Sequence, residues 1–345
     1  MTEIEANAIN ATRGVLALWP LVPIIGLIIS LVTGNAVWVI ATGVLFLLAS
    51  PWAWPRLRLQ WMWRTPRLQV ASTPFHLGEE VAFTYVRASR KPLDVGAAIL
   101  RCTITCTENV QWETGSGKNR QTHSDSQTVY KADHTALVAA TMEGLEARGT
   151  FTIPIEAGGP SLRLSDNQIV WEIEAWLEGE RLPTCKESFD IEVAPIVATA
   201  ARPRPQDDVV GPSAFDNAPT ANPFIHIDDD IVELGDSLQG HATYRPDPDE
   251  TAEVRGLRLT LDWRTSGRGD TDGGEIQTVS LPTNAAGRVD TRWHIPMPTN
   301  VPVSYQGNLI RIEYTLHARL DRRLARDETD AIDIVVTPQH GRHLG

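Results

Sequence analysis

The chain has 345 residues, of which 43 are Asp or Glu and 31 are Lys or Arg, giving a net charge of −12. The length predicts two domains. The acidic balance argues against nucleic-acid binding, because a phosphate backbone repels a chain of this sign. Three cysteines, an odd number, are typical of a protein that stays in a reducing cytoplasm.

The first 69 residues differ in charge from the rest. They carry five arginines against Glu3 and Glu5, so a net charge of −15 falls on residues 70–345. That acidic region is repelled from anionic lipid except where a local loop is basic.

Residues 14–54 contain no ionisable side chain and form two 19-residue apolar runs separated by residues 33–35. At about 1.5 Å per residue, each run can cross a hydrocarbon core of about 30 Å. A single signal sequence and a buried soluble hairpin are the alternatives. A signal peptide has one apolar run and a cleavage site, whereas this segment has two runs and continues into an Arg/Trp-rich stretch. The pattern predicts a two-helix transmembrane hairpin over 14–54.

Arginines flank both outer ends of this hairpin, and its connecting turn has none. The positive-inside rule therefore predicts a multi-pass protein of the inner membrane, with both termini and everything after the hairpin in the cytoplasm. Residues 1–13 are then a cytoplasmic tail and 55–73 an interfacial segment, where tryptophans alternate with arginines. The predicted membrane-interface residues are Trp52, Trp54, Arg56, Arg58, Trp61, Trp63 and Arg64.

The chain after residue 70 consists of short alternating runs between Gly, Pro and Asp clusters, which predicts an all-β structure. From residue 100 to 107 the apolar side chains fall at even positions and end at Cys106; in 257–264 they fall at odd positions and end at Trp263. The two runs are 157 residues apart. The same offset relates HLGEEV to ELGDSL (76–81 and 233–238).

A second offset, near 142, relates the far ends of the two units, so the first unit holds about fifteen extra residues between 107 and 149. The matched segments are 150–179 with 292–321 and 189–193 with 332–336. The repeat predicts two tandem β-sandwiches. The predicted ranges are 74–194 for the first sandwich, 195–222 for a Pro/Ala/Asp-rich linker, 223–338 for the second sandwich and 339–345 for a tail.

The stretch QWETGSGKNRQTHSDS (111–126) looks like the end of a phosphate-binding loop. However, Asn119 follows Gly117-Lys118 where a Mg²⁺-binding Ser or Thr is needed, and Trp112 stands where the first Gly belongs. The residues that follow lack the apolar stripe of a helix. The stretch therefore predicts a β-hairpin tip and argues against a P-loop NTPase.

Other chemistry-bearing residues form no recognisable catalytic or metal-binding pattern. Cys102 and Cys106 are about 13 Å apart in a strand, so we expect core residues and not a disulfide, a redox pair or a metal site. The acidic run at 226–236 lacks the ligand spacing and the central Gly of a calcium loop and is expected to form a solvated entry into a strand. Without HExxH, CxxC or GxSxG, we expect no metal, no cofactor and no catalytic residue, in a protein that is not an enzyme.

The repeated pattern of a strand, an Ile-Pro pair (153–154 and 295–296), a Pro-Ser/Gly segment and a closing strand resembles the arrestin-like fold. That fold is shared by arrestins, retromer arrestin-like subunits and bacterial sporulation-control proteins. The full layout also resembles uncharacterised bacterial membrane proteins with N-terminal transmembrane helices and a cytoplasmic region containing a GSGKNR-type segment. The resemblance implies two tandem arrestin-like (immunoglobulin-like) β-sandwiches after a transmembrane α-helical hairpin.

We therefore expect a membrane-tethered adaptor or scaffold that works by protein–protein contact at the cytoplasmic face, beside membrane lipids and an unknown protein partner. The alternative is a sensor that recognises anionic lipid headgroups or phosphorylated partners through the basic loop. An enzyme with an unrecognised site between the sandwiches is a third possibility. The candidate contact residues are Lys118, Asn119 and Arg120.

The predicted topology can be tested with a protease. A C-terminal tag after Gly345 should resist protease added to intact spheroplasts and be digested after lysis, because the arginines hold both ends of the chain in the cytoplasm. Digestion of the tag before lysis would show that the orientation is wrong.

Overall fold

A computed structural model gives the fold of the chain. The elements with both ends in the described part of the chain are β-strands and one short 3-10 helix, Gly117–Asn119. The structure describes residues 2–6, 28–29, 32, 63–89, 96–141, 143–180, 182–197, 223–247, 254–322 and 329–340. The strands of the first β-domain are β1 Thr2–Glu5, β2 Arg67–Val70, β3 Phe75–Leu77, β4 Glu80–Ala88, β5 Ala98–Thr114, β6 Gln121–Thr141, β7 Gly144–Thr152, β8 Leu162–Arg163, β9 Asn167–Gly179, β10 Leu182–Ile191 and β11 Val193–Val197.

The first β-domain is built on one curled antiparallel sheet. Its strand order is β1-β2-β4-β7-β6-β5-β9-β10, and β8 pairs with β9. β10 lies close to β1, so the sheet curls almost closed around its apolar face. Tyr85 of β4 and Phe189 of β10 meet edge to face inside it, with ring centroids 6.3 Å apart. Alternation of apolar and polar residues along each strand produces this one-sided core.

The first sheet contains residues from both sides of the predicted hairpin. Thr2–Glu5 pairs antiparallel with Arg67–Val70, and the Ala6 amide donates to the Pro66 carbonyl at 3.2 Å. Residues predicted as part of a tail and of an interfacial segment therefore extend the first β-domain. A four-residue strand is too short to stand out in the sequence, and its partner is more than sixty residues away.

The transmembrane hairpin predicted over 14–54 lies outside the described residues, apart from residues 28, 29 and 32. Within the part of the chain that the structure describes, no helix is long and apolar enough to cross a membrane. Most of the predicted linker, residues 198–222, also lies outside it. The hairpin stays a prediction.

The second β-domain contains two sheets. Its strands are β12 Phe224–Ile227, β13 Ile231–Glu233, β14 Ser237–Tyr244, β15 Val254–Gly267, β16 Gly273–Pro282, β17 Val289–Pro296, β18 Tyr305–Gln306, β19 Ile310–Arg322, β20 Thr329–Thr337 and β21 Gln339–His340. One sheet has the order β12-β14-β17, and the other has the order β13-β20-β19-β15-β16, with β18 against β19. All of these pairings are antiparallel except that of β13 with β20.

The two β-domains share one pattern of strand pairing. In the first, β5 lies between β6 and β9, β9 pairs with β10, and β4 pairs with β7. In the second, β15 lies between β16 and β19, β19 pairs with β20, and β14 pairs with β17. The extra length is where the offsets predict it, because β5 and β6 have 17 and 21 residues against 14 and 10 in β15 and β16.

The predicted register of β5 is confirmed. Cys102 and Cys106 are buried with the other even-numbered apolar residues, whereas the odd positions are exposed or half-buried. Burial raises the pKa of both thiols to about 12, so they stay protonated near neutral pH. The cysteines are core residues of the first β-domain, as expected.

A pair of aspartate substitutions tests this register. Cys106→Asp places an unpaired charge in the core and should cost several kcal/mol of unfolding free energy. Thr105→Asp, half-buried on the opposite face, should change stability by less than about 1 kcal/mol. Thermal unfolding of the full chain measures both changes. Similar losses in the two variants would place the strand one residue out of register.

Candidate functional site

The two β-domains meet along the second half of β5 and at the start of β9. A small parallel sheet adds to this junction, because β11 lies between β3 of the first domain and β21, which follows β20. The predicted tail therefore begins with a paired strand, Gln339–His340. Two buried polar side chains of the first domain form the centre of the rest of the junction.

The first of these is Glu108, whose side chain is fully buried at 0 % exposure. Its carboxylate accepts hydrogen bonds from the Tyr305 hydroxyl at 2.5 Å, the Leu309 amide at 2.6 Å and the Asn308 amide at 3.3 Å. All three donors belong to the second domain. A buried carboxylate is tolerated only when donors of this kind replace its water, so the contact fixes the loop around residues 305–309 against β5.

Tyr305 keeps the proton that it donates to Glu108. Burial, followed by the hydrogen bond to Glu108 and the negative charge of that carboxylate, raises the pKa of Tyr305 above its usual range. The hydroxyl therefore remains a donor throughout the physiological pH range. Its ring also packs directly against Gly159 of the first domain.

Two glycines of the second domain make room for the inserted side chains. A Cβ at Gly307 would lie 1.7 Å from Glu108 Oε1, and one at Gly269 would lie 2.6 Å from Asn167 Oδ1. Neither distance is possible for real atoms. At both positions glycine allows the backbone of the second domain to approach a polar side chain of the first.

Asn167, at the start of β9, is the second inserted side chain and is 2 % exposed. Its Nδ2 group donates towards the Asp270 carbonyl at 2.7 Å, Asp272 Oδ2 at 2.8 Å and Thr265 Oγ1 at 3.1 Å. Thr265 in turn accepts from the Asp272 amide at 2.8 Å. Asn167 is thus surrounded by the β15–β16 turn of the second domain.

The outer part of the β5–β6 hairpin continues this contact towards solvent. The Asp270 amide donates to the Gln111 carbonyl at 2.9 Å, and the Glu113 amide donates to Asp270 Oδ2 at 3.0 Å. Arg268 forms an ion pair with Asp125 and lies 5.1 Å from the centroid of the Trp112 ring. These contacts hold the hairpin against the second domain along several residues.

A cleft of about 310 Å³ lies between the domains beside this junction. Its walls are mainly apolar and come from both domains. The lining residues are Pro160, Ser161, Leu162, Arg163, Leu164, Ile169, Pro195, Thr299, Asn300, Val301, Pro302, Val303, Tyr305 and Ile312. They do not bring together a set of acid, base and nucleophilic groups of the kind that catalysis uses.

The candidate contact residues lie at the hairpin tip, as predicted. Gly115 and Gly117 adopt φ of +86° and +57°, which allows the tight turn, and β6 starts as a strand at Gln121. Arg120 forms an ion pair with Glu113 of the same hairpin, and the Asn119 amide donates to the Ser116 carbonyl at 3.2 Å. Lys118 is exposed and has no ion pair with any described residue. Lys118, Asn119 and Arg120 therefore differ in the charge that they can offer to a partner.

Five of the predicted membrane-interface residues lie outside the described residues, namely Trp52, Trp54, Arg56, Arg58 and Trp61. Trp63 is 5 % exposed, bridges to Ser89 and stacks on Arg87 at 5.1 Å, so it packs in the first β-domain. Arg87 also forms a buried ion pair with Glu187 at 3.0 Å. Arg64 is exposed.

The acidic run is placed as expected. Asp228, Asp229 and Asp230 are exposed in the turn between β12 and β13, and Asp229 Oδ1 accepts from the Ile231 amide at 2.9 Å. Within the described ranges, no group of three or more His, Cys, Asp or Glu side chains is arranged to hold a metal ion.

No protein-family model matches the sequence, and a comparison with the curated proteins finds no match. The function must therefore be argued from the geometry of the chain itself.

Sequence reasoning missed Glu108 and Asn167, although Glu108 left a signal. It occupies the even position between Cys106 and Val110, so the alternation of β5 points a carboxylate inward. An inward charge in an otherwise apolar series needs a partner. The partner, Tyr305, is 197 residues away and could not be identified from the pattern.

A double-mutant cycle tests the junction. Glu108→Ala leaves three donors without an acceptor and should cost about 3 kcal/mol, and Gly307→Ala should also destabilise the chain by displacing the carboxylate. Together they should cost less than the sum, because the clash disappears with the carboxylate. Unfolding of the full chain in detergent gives the energies, with exposed Glu80→Ala as control. Additive losses would show that the two residues do not interact.

Proposed function

We propose that the protein is a membrane-tethered, arrestin-like adaptor or scaffold that acts through protein–protein contacts at the cytoplasmic face of the inner membrane. The contact of Glu108 with residues 305–309 carries this proposal. Because it joins the two β-domains by buried hydrogen bonds, they present their loops and strand edges to a partner as one unit. A fixed composite surface is what an adaptor needs.

The free edge of β6 supports a role in contacts. Residues 121–137 pair with β5 on one side, and no described strand pairs with them on the other. Unpaired backbone groups along an edge can accept an added strand from a partner. Lys131 is exposed on this edge and has no ion pair with any described residue.

The position of β1 supports the tether. The Ala6 amide and the Pro66 carbonyl are hydrogen-bonded, so the segment between them starts and finishes at one point of the first sheet. A segment with both ends at one point can cross a bilayer only an even number of times. Two crossings agree with the two apolar runs of 14–54.

The second candidate function is recognition of an acidic or phosphorylated partner through the hairpin tip. Lys118 favours it, because this exposed cation is not neutralised by any described neighbour. Arg120 contributes less to such recognition, since Glu113 already offsets its charge.

In-cell photocrosslinking from Gln121, an exposed residue beside the tip, tests both roles. A scaffold should give a discrete crosslinked protein. Replacing Lys118 and Arg120 together by Ser should reduce that product severalfold, most strongly at low salt in isolated membranes, and leave the melting temperature unchanged.

Lys118→Ser alone should reproduce most of the effect, and Arg258→Ser, an exposed cation on β15, should have none. A crosslink that all variants retain would make the tip a connector and exclude the second function. Absence of any protein crosslink from the tip and from the β6 edge would contradict the adaptor proposal.

A further inference from the structure

At one end of the first β-domain, the chain leaves towards the predicted transmembrane hairpin and returns from it. Glu5 pairs with Arg67 at this end, and the Arg64 amide donates to the Ala88 carbonyl at 3.0 Å. The Ser89 amide donates to the Glu143 carbonyl at 2.9 Å. The chain is therefore fixed by hydrogen bonds up to Ala6 and again from Trp63 onward.

The connections from this end to the predicted spans are short. Seven residues separate Ala6 from residue 14, and eight separate residue 54 from Trp63. Fully extended, they reach at most about 25 and 30 Å. Two short connections that leave the same end hold that end close to the bilayer.

The β5–β6 hairpin runs away from this end. At this end, Gly144 pairs with Ala88 of β4 and with Thr141 of β6. β5 begins nearby at Ala98, since the next residue, Ile99, pairs with Leu137 of β6. From there β5 continues for 17 residues to Thr114, which at about 3.3 Å per residue is a length of about 50 Å. The second β-domain also lies at the far end, where Asp270 contacts Glu113.

Charge favours the same arrangement. Residues 70–345 carry a net charge of −15, so anionic lipid repels the body of the two β-domains. Residues 98–141, which form the hairpin, have four cations against four carboxylates, so that charge lies on the rest of the two β-domains. A first domain that stands on its short end keeps that charge away from the lipid.

We propose that the first β-domain stands end-on against the membrane, with its Ala6–Trp63 end facing the lipid and Lys118 held about 50 Å away in the cytoplasm. This inference rests on the membrane tether of the proposed function and adds where the partner binds. At that distance, several times the Debye length, Lys118 cannot act on the lipid headgroups of its own membrane. Its partner is then an acidic protein surface that lies away from the bilayer.

Energy transfer in the full chain tests the arrangement. Single cysteines replace exposed Ala97, near the lipid-facing end, and exposed Ser116 at the tip, and each carries a donor dye. The natural cysteines are buried, and burial raises the pKa of their thiols, so they resist labelling. The protein is placed in vesicles of phosphatidylcholine and phosphatidylglycerol that contain an acceptor-labelled lipid.

Transfer from residue 97 should exceed transfer from residue 116 by about threefold or more, as a separation of about 50 Å requires. Adding Lys118→Ser to the tip-labelled variant should leave its transfer unchanged. Equally strong transfer from both positions, or stronger transfer from the tip, would overturn the end-on arrangement and leave the tether intact. No transfer from either position would overturn the tether and the proposed function with it.

Discussion

The buried carboxylate of Glu108 is the constraint on which the arrangement of the two β-domains depends. It lies in the core-facing series of β5 and has no exposed surface, yet its three hydrogen-bond donors all come from residues 305–309. If the domains separated, the carboxylate would lose those donors and would have to be hydrated at the end of the first core. Unlike an apolar contact, this one has a specific geometry, because the donors must converge on two oxygen atoms.

The other interdomain contacts extend from this point and have the same character. Asn167 reaches into the β15–β16 turn, and glycines at positions 269 and 307 leave the space that both inserted side chains need. The outer β5–β6 hairpin then lies along the second domain through Gln111 and Glu113. The longer hairpin of the first unit therefore takes part in the contact between the domains.

The sequence predicted the elements whose cause is local. Alternation in 98–107 gave the correct burial of β5, and the glycines of the 115–117 turn gave the hairpin tip. The two offsets gave two β-domains with the same strand pairing. Each of these features depends on residues that are close in the chain or on a comparison of one segment with another.

The features that escaped prediction depend on distant partners. β1 has four residues and pairs with a strand that begins at Arg67. The distinction between Lys118 and Arg120 also needed coordinates, since the sequence shows two cations and only the structure shows that Glu113 neutralises one of them. The same holds for Trp63, whose Arg/Trp-rich neighbourhood indicates lipid contact, while its side chain packs against Arg87.

The central claim, that Glu108 holds the two β-domains as one unit, is tested most directly by a distance between them. Cysteines are introduced at exposed positions 80 and 258, one in each domain, and carry spin labels. Pulsed electron paramagnetic resonance then measures the distance between the labels in the full chain. We predict a single narrow distribution for the natural sequence and a broad one after Glu108→Ala, because the donors of residues 305–309 lose their acceptor. A broad distribution in the natural sequence, or a narrow one that the substitution leaves unchanged, would contradict the account.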